Sequence, residues 1–204
     1  MKPKHVIVIG GGAAGLVAAI AARRQGANVT ILEKNPRVGK KLLATGNGRC
    51  NFTNMDLDLS HWHGNEPRFA RGALTRFDGA RTLEFFQELG IVPRQEEAGK
   101  VFPASGQAGS VLDVLRHEVE TSGVSVITEA EVRALENTGR SFAVRTGEST
   151  FSADAVVIAT GGRAGPQFGC TGASYDLAAS FGHRLVKPFP ALVQLRLNAP
   201  FLRA

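Results

Sequence analysis

Cysteine is scarce in this chain. Only Cys50 and Cys170 occur in 204 residues, far apart and in no CxxC pattern. That excludes a disulfide framework and a structural zinc site, and it suits a reducing cytoplasm. Long apolar runs are missing as well. The uncharged stretch from Val6 to Ala22 is shorter than the about 20 residues that a membrane-spanning helix needs. Two lysines ahead of it give it the outline of a secretory signal, but Gly10, Gly11 and Gly12 would break the helix such a signal requires. Internal repeats and low-complexity tracts are absent. Acids are outnumbered, 18 against 24 Lys and Arg, for a net charge of +6. The surplus favours anionic ligands but is too diffuse to argue for nucleic acid.

What remains is an ordinary globular composition. With 43% hydrophobic residues, apolar burial is ample to offset chain entropy, so disorder is excluded. The length allows one sizeable core, or one domain and a fragment of another.

Val6–Ile9 is a continuous β-rich apolar run, the pattern of a strand buried on both faces of a parallel sheet. Gly10 to Gly12 form a turn, Ala13 to Arg24 predicts an alanine-rich helix, and Asn28 to Leu32 predicts a second buried strand ending at Glu33. This is a βαβ unit of the expected size. Within it, Gly10-x-Gly12-x-x-Gly15 is the dinucleotide fingerprint. Gly10 permits the tight turn, Gly12 lets backbone approach a pyrophosphate, and Gly15 lets helix pack on strand. The helix N-terminus offers free N–H groups to the phosphates. The fingerprint alone is weak. Here a buried strand precedes it, a helix follows, and Glu33 stands 18 residues beyond Gly15, near the about 20 expected of a ribose-binding acid. A carboxylate there repels a 2′-phosphate, so FAD or NAD is favoured over NADP, although Lys34 beside it pulls the other way.

Further along, Asp78 to Leu89 predicts a helix with Asp78 as N-cap. Ser110 to Thr121 predicts another, opened by Ser110 and Asp113 at capping-box spacing. Val124 to Ile127 reads as a strand. Val132–Leu135 and Phe142–Arg145 flank Asn137-Thr138-Gly139 as a hairpin. The run Phe151 to Ala159 culminates in a buried strand leading into Thr160-Gly161-Gly162, and ligands bind at the carboxyl ends of such strands. Tyr175 to Phe181 predicts a helix closed by Gly182. Pro188 and Pro190 mark a boundary, after which Ala191 to Leu197 predicts a new strand.

The segment from Lys34 to Arg49 carries Lys34, Arg37, Lys40, Lys41 and Arg49 and no acid. It is either a solvated basic loop or a loop that crosses a cofactor. Gly39, Gly46 and Gly48 favour the second, since they let backbone lie against a ligand. No catalytic acid or base is assigned. His61 and His63 flank Trp62 in a polar stretch and read as surface residues. Cys50 reads as a small buried side chain ahead of a redox-active one.

The strings VIVIGGGAAGLVAAIAA, ILEKN, GKKLLATGNGRCNFTN, KVFPASGQAGSV and ATGG closely resemble the BaiN-type, aminoacetone-oxidase-like family of bacterial NAD(P)/FAD-dependent oxidoreductases, from Val6 to Leu197. The resemblance implies an α/β, Rossmann-like FAD-binding domain of the two-dinucleotide-binding flavoprotein type, with a small β-hairpin element. It implies FAD as cofactor, NAD(P)H as candidate electron donor and a small-molecule substrate; no membrane partner is expected and a nucleic-acid partner is disfavoured, with a non-catalytic dinucleotide-binding module, or an RNA-modifying flavoprotein suggested by the basic charge, as the alternatives. Residue by residue, it implies Gly10, Gly12, Ala14 and Gly15 at the pyrophosphate and Glu33 and Lys34 beside the adenosine ribose. Lys41 and Gly46, Asn47, Gly48, Arg49 and Cys50 would pass near the flavin and its linker. Val132 matches a backbone position that meets adenine, and Thr160 and Gly161 match the second cofactor contact. Ala173-Ser174 departs from the family's usual Asp-Gly pair. Family members are about twice as long, so residues 1–188 are expected to be an FAD-binding domain completed by a later segment. Residues 189–204 are expected to begin an inserted substrate-side β domain.

Overall fold

A computed structural model describes residues 2–192. The first βαβ unit forms as its pattern demands: β1 (His5–Ile9), α1 (Ala13–Arg24) and β2 (Asn28–Leu32). Then come β3 (Thr53–Asn54), α2 (Arg71–Arg76) and α3 (Gly79–Glu88). They are followed by β4 (Pro93–Gln95), β5 (Lys100–Pro103), α4 (Ala108–Thr121) and β6 (Ser125–Ile127). The described chain closes with β7 (Val132–Asn137), β8 (Phe142–Thr146), β9 (Thr150–Ala153), β10 (Ala155–Ile158) and α5 (Ala173–Ala179).

A parallel sheet in the order β10-β1-β2-β6 is the frame. Its two faces are covered differently. Val8, Val29 and Ile31 meet Leu16, Ala19 and Ile20 of α1 and Val111, Leu115 and Val119 of α4 in one apolar cluster. Ile7, Ile9 and Leu32 point the other way, onto Val132, Leu135, Val144 and Ala153 of the antiparallel sheet β7-β8-β9. Leu16, Ile20 and Ile7 are fully buried, and each such side chain contributes about 1.5–3 kcal/mol. A parallel sheet must be covered on both faces. The sequence offers few helices for that purpose, and the three-stranded meander supplies the second cover.

Several boundaries differ from expectation. The helix expected at Ser110 begins at Ala108 after Gln107, without a side-chain cap. Ser110 and Asp113 therefore form no capping box, and the Ser110 hydroxyl pairs with Ser105 at 2.9 Å. The run Phe151 to Ala159 is two strands in two sheets, broken at Asp154. The Asp154 N–H donates to the His5 carbonyl at 2.8 Å, and its Oδ2 accepts from the His5 N–H at 2.7 Å. That exchange swings the chain from the meander into the parallel sheet beside β1. The Asp78 cap holds as expected, its carboxylate accepting from the Arg81 N–H at 2.9 Å. The C-terminal helix starts at Ala173, earlier than expected, and Gly182 closes it in left-handed backbone at φ 79°. The strand expected over residues 191–197, and with it the expected second domain, lies outside the described residues.

Among the described residues no helix is long and apolar enough to cross a membrane, and no His, Cys, Asp or Glu cluster could hold a metal ion.

Candidate cofactor site

Three of the four glycines at the turn after β1 and the start of α1 stand there for three different reasons. Gly10 stands at φ 101°, and a Cβ on it would lie 2.7 Å from the Ala159 carbonyl oxygen. Its N–H donates to the Leu32 carbonyl at 2.8 Å, so β1, β2 and β10 converge on it. A Cβ on Gly15 would overlap the Gly10 carbonyl, so this glycine lets α1 sit directly on the turn. Gly12 is different, because a Cβ there would meet nothing within 4 Å. No packing demand explains it, and the space in front of it is open. Gly12 is also the N-cap of α1, with no capping side chain and no acid in the first turn. The first N–H groups of the helix therefore face that space without a side-chain partner, beside the positive end of the helix dipole.

The space is a cavity of about 300 Å³ over the carboxyl ends of β1, β2 and β10, lined by Gly10, Gly12, Ala13, Ala14, Glu33, Lys34, Lys41, Val132, Thr160 and Gly161, among others. The volume falls at the lower end of the range for small-molecule sites. Glu33 is the one buried charged side chain among the described residues. Its Oε2 accepts from the Gly11 N–H at 2.7 Å, while Oε1 accepts from the Asn35 N–H at 2.8 Å and the Asn35 side-chain amide at 2.6 Å. Across the cavity the Thr160 hydroxyl oxygen is buried without a hydrogen-bond partner. Such groups are rare and call for a partner. The far wall is the loop from Arg163 to Gly172, which contributes Phe168, Gly169, Cys170 and Thr171. The Lys41 ammonium donates to the Ala164 carbonyl at 2.8 Å and ties that loop to the 3-10 turn at Leu42–Gly48.

The structure thus brings together most of the expected residues, from four separate stretches of chain. Gly15 lies beneath the turn instead of on the cavity wall. Gly46, Asn47, Gly48, Arg49 and Cys50 do not line the cavity. Arg49 instead donates to Glu96 at 3.0 Å and stacks over the Phe102 ring at 4.0 Å. The hydrogen bonds from the Arg49 guanidinium hold the Glu96 carboxyl below its ordinary range. Cys50 is buried at φ 59°, and burial pushes its thiol upward against a hydrogen bond with Thr45. A raised thiol is a poor nucleophile at neutral pH. His61 and His63 are exposed, with His61 paired to Asp56 at 2.9 Å. Ser174, at the departure from the family pattern, donates to the Gly161 carbonyl at 2.8 Å. Sequence reasoning missed Asn35, Thr45 and the whole Phe168–Thr171 wall. The left-handed Gly165, Gly169 and Gly172 were its only local signal.

This arrangement agrees with what the chain resembles. Residues 4–191 match the family described as HI0933-like protein Rossmann domain. The chain belongs to that family. It is 46% identical over 200 residues to the 3-dehydro-bile acid delta(4,6)-reductase of Clostridium scindens, covering 97% of this chain and 49% of that protein. It is 30% identical over 191 residues to the ribosomal RNA dihydrouridine synthase of Haemophilus influenzae, covering 92% and 47%. The Escherichia coli protein of the same name is 30% identical over 202 residues, covering 99% and 50%. The chain therefore spans about half the length of the curated relatives it matches. In this chain, the fingerprint turn, Glu33 and the Thr160 strand end are the parts that meet in one cavity.

Proposed function

We propose that this chain is the FAD-binding part of an oxidoreductase acting on a small molecule, with NAD(P)H as the electron donor. The observation that carries the reading is the pairing of two unmet demands across one cavity: the uncapped helix N-terminus at Gly12 and the orphaned Thr160 hydroxyl. A bound dinucleotide answers both, with pyrophosphate oxygens as acceptors at the helix end and a polar partner for Thr160. Gly10, Gly12 and Ala14 would hold the pyrophosphate, and Glu33 and Lys34 would flank the ribose. Val132 would meet the adenine, and Thr160 and Gly161 would make the second contact. The electron chemistry belongs to the flavin when it is bound, while the protein supplies position and electrostatics. Glu33 with Asn35 would orient the ribose, and Lys41 would hold the Arg163–Gly172 wall over the site.

The name of the 46% identical relative supports a reductase of a small molecule. The two free cysteines, both buried, suit the cytoplasm. Residues 1–188 would form the cofactor unit, and the stretch from 189 onward would begin a substrate-side domain. A rival reading, an RNA-modifying flavoprotein, draws on the net charge of +6 and on the names of the two 30% identical relatives. RNA binding that falls steeply with salt would favour the rival. The direct test is to release the cofactor from native protein by heat and identify it by chromatography. FAD is expected; NAD alone, or FMN without adenylate, would overturn the reading.

A further inference from the structure

The Glu33 carboxylate can accept about four hydrogen bonds, two on each oxygen, and three are already taken. Oε1 receives both the Asn35 N–H, at 2.8 Å, and the Asn35 side-chain amide, at 2.6 Å, while Oε2 receives only the Gly11 N–H, at 2.7 Å. A carboxylate can only accept, so the Asn35 amide must present its NH2 and turn its own oxygen away. The remaining acceptor site is on Oε2, and Glu33 is one of the residues that line the cavity.

Asn35 is itself fixed from other directions. Its carbonyl accepts from the Glu129 N–H at 3.2 Å, in the link between β6 and β7. Gly169 of the Arg163–Gly172 wall lies against its side chain. A Cβ on Gly169 would come within 3.3 Å of the Asn35 amide nitrogen and 3.4 Å of its oxygen. One side chain therefore touches the end of β2 and the far wall, while its backbone is tied to the β6–β7 link.

We infer that Asn35 is a positioning residue that sets ligand specificity through Glu33. By saturating Oε1 it leaves a single fixed acceptor, Oε2, for one ribose hydroxyl, and it keeps the carboxylate from swinging. A nucleotide bearing a phosphate on that ribose then meets an acceptor-only carboxylate with nowhere to retreat. The inference rests on the proposed dinucleotide site but does not depend on what reacts there.

The test is FAD titration of the full chain by fluorescence quenching, for wild type, Asn35→Asp and Asn35→Ala, from pH 5 to pH 8. In Asn35→Asp the backbone N–H and the turn are kept, but a second carboxylate faces Oε1 at 2.6 Å in place of the amide. Two carboxylates that close raise the pair's affinity for a proton, so the pair is doubly charged at pH 8 and shares a proton at pH 5. The expected result is a dissociation constant raised about tenfold or more at pH 8, from loss of a charge-assisted hydrogen bond, and recovering toward wild type at pH 5 as the pair gains a shared proton. Asn35→Ala should show about the same loss at pH 8 without recovery at pH 5. A role confined to the turn would leave Asn35→Asp silent and without a pH profile. Wild-type FAD binding with both variants unchanged overturns this inference alone. A wild-type chain that takes no FAD at any pH overturns it together with the proposed function.

Discussion

Two glycine-rich segments of this chain look alike in sequence and behave differently in the fold. Of the four glycines in Gly10–Gly15, Gly15 seats the helix on the turn, Gly10 bends the strand end, Gly11 packs against Val38, and Gly12 faces open space where a ligand would approach. In Gly46–Cys50, Gly46 answers to the chain itself, and Gly48 is called for by its left-handed backbone at φ 81°, with nothing within 4 Å of a Cβ there. A Cβ on Gly46 would come 2.5 Å from the Asn51 nitrogen. Asn47 and Cys50 take left-handed backbone, and Arg49 reaches outward to Glu96 and Phe102. Glycine spacing shows that something comes close to the backbone. Whether that is a ligand or the protein's own next turn depends on what packs there.

Substitutions can sharpen or break this contrast. The largest effect belongs to Gly15→Ala, where the added methyl overlaps the Gly10 carbonyl. It should cost about 3 kcal/mol or more, at the upper end for overpacking, read as a lowered denaturation midpoint. A near-wild-type midpoint would mean that the helix can slide off the turn. Glu33→Ala removes the acceptor for three donors. It should weaken FAD binding by about 1.5–3 kcal/mol, and an unchanged dissociation constant would mean that Glu33 serves only the turn. Gly46→Ala places a methyl on left-handed backbone at φ 55° beside Asn51. It should cost about 1–2 kcal/mol of stability while the folded fraction keeps its FAD affinity. A large affinity loss there would place the second segment in the site after all. Lys41→Ala unties the Arg163–Gly172 wall from the 3-10 turn. It should loosen FAD by about threefold, within the net worth of one exposed hydrogen bond of about 0.5–1.5 kcal/mol.

The legible part of this protein is the part where local pattern and tertiary role coincide. Val6–Ile9 and Asn28–Leu32 are apolar because both sheet faces are buried, so their runs announce parallel strands. Ala13–Arg24 was readable to the residue, since glycine brackets the helix at both ends. The break at Asp154 is hidden because Phe151 and Ala153 lead straight on to the apolar Ala155–Ile158, so the stretch reads as one run. Only the exchange with His5 divides them. The sheet β3-β5-β4 pairs strands of two to four residues and includes Pro93 and Pro103, which carry no usable periodicity. The Phe168–Thr171 wall was missed for the same reason: loops that line a cavity are placed by contacts, here by Lys41 and Asn35, and leave little trace in hydrophobic pattern. The motif around Arg49 and Cys50 carries charge and glycine, and neither says which way these side chains turn relative to the cavity wall, to which they do not contribute.

The central claim is that the turn at Gly12 is open for a ligand and for no other reason. Its most direct test is Gly12→Ala, with FAD affinity and thermal unfolding measured on the same preparation. Because nothing lies within 4 Å of the added methyl, stability should change by less than about 1 kcal/mol, the usual scale of a substitution at a helix N-cap. FAD affinity should fall by tenfold or more, about 1.4 kcal/mol, as the methyl occupies the space where the pyrophosphate would lie. An unchanged FAD affinity in a folded Gly12→Ala protein would contradict the account.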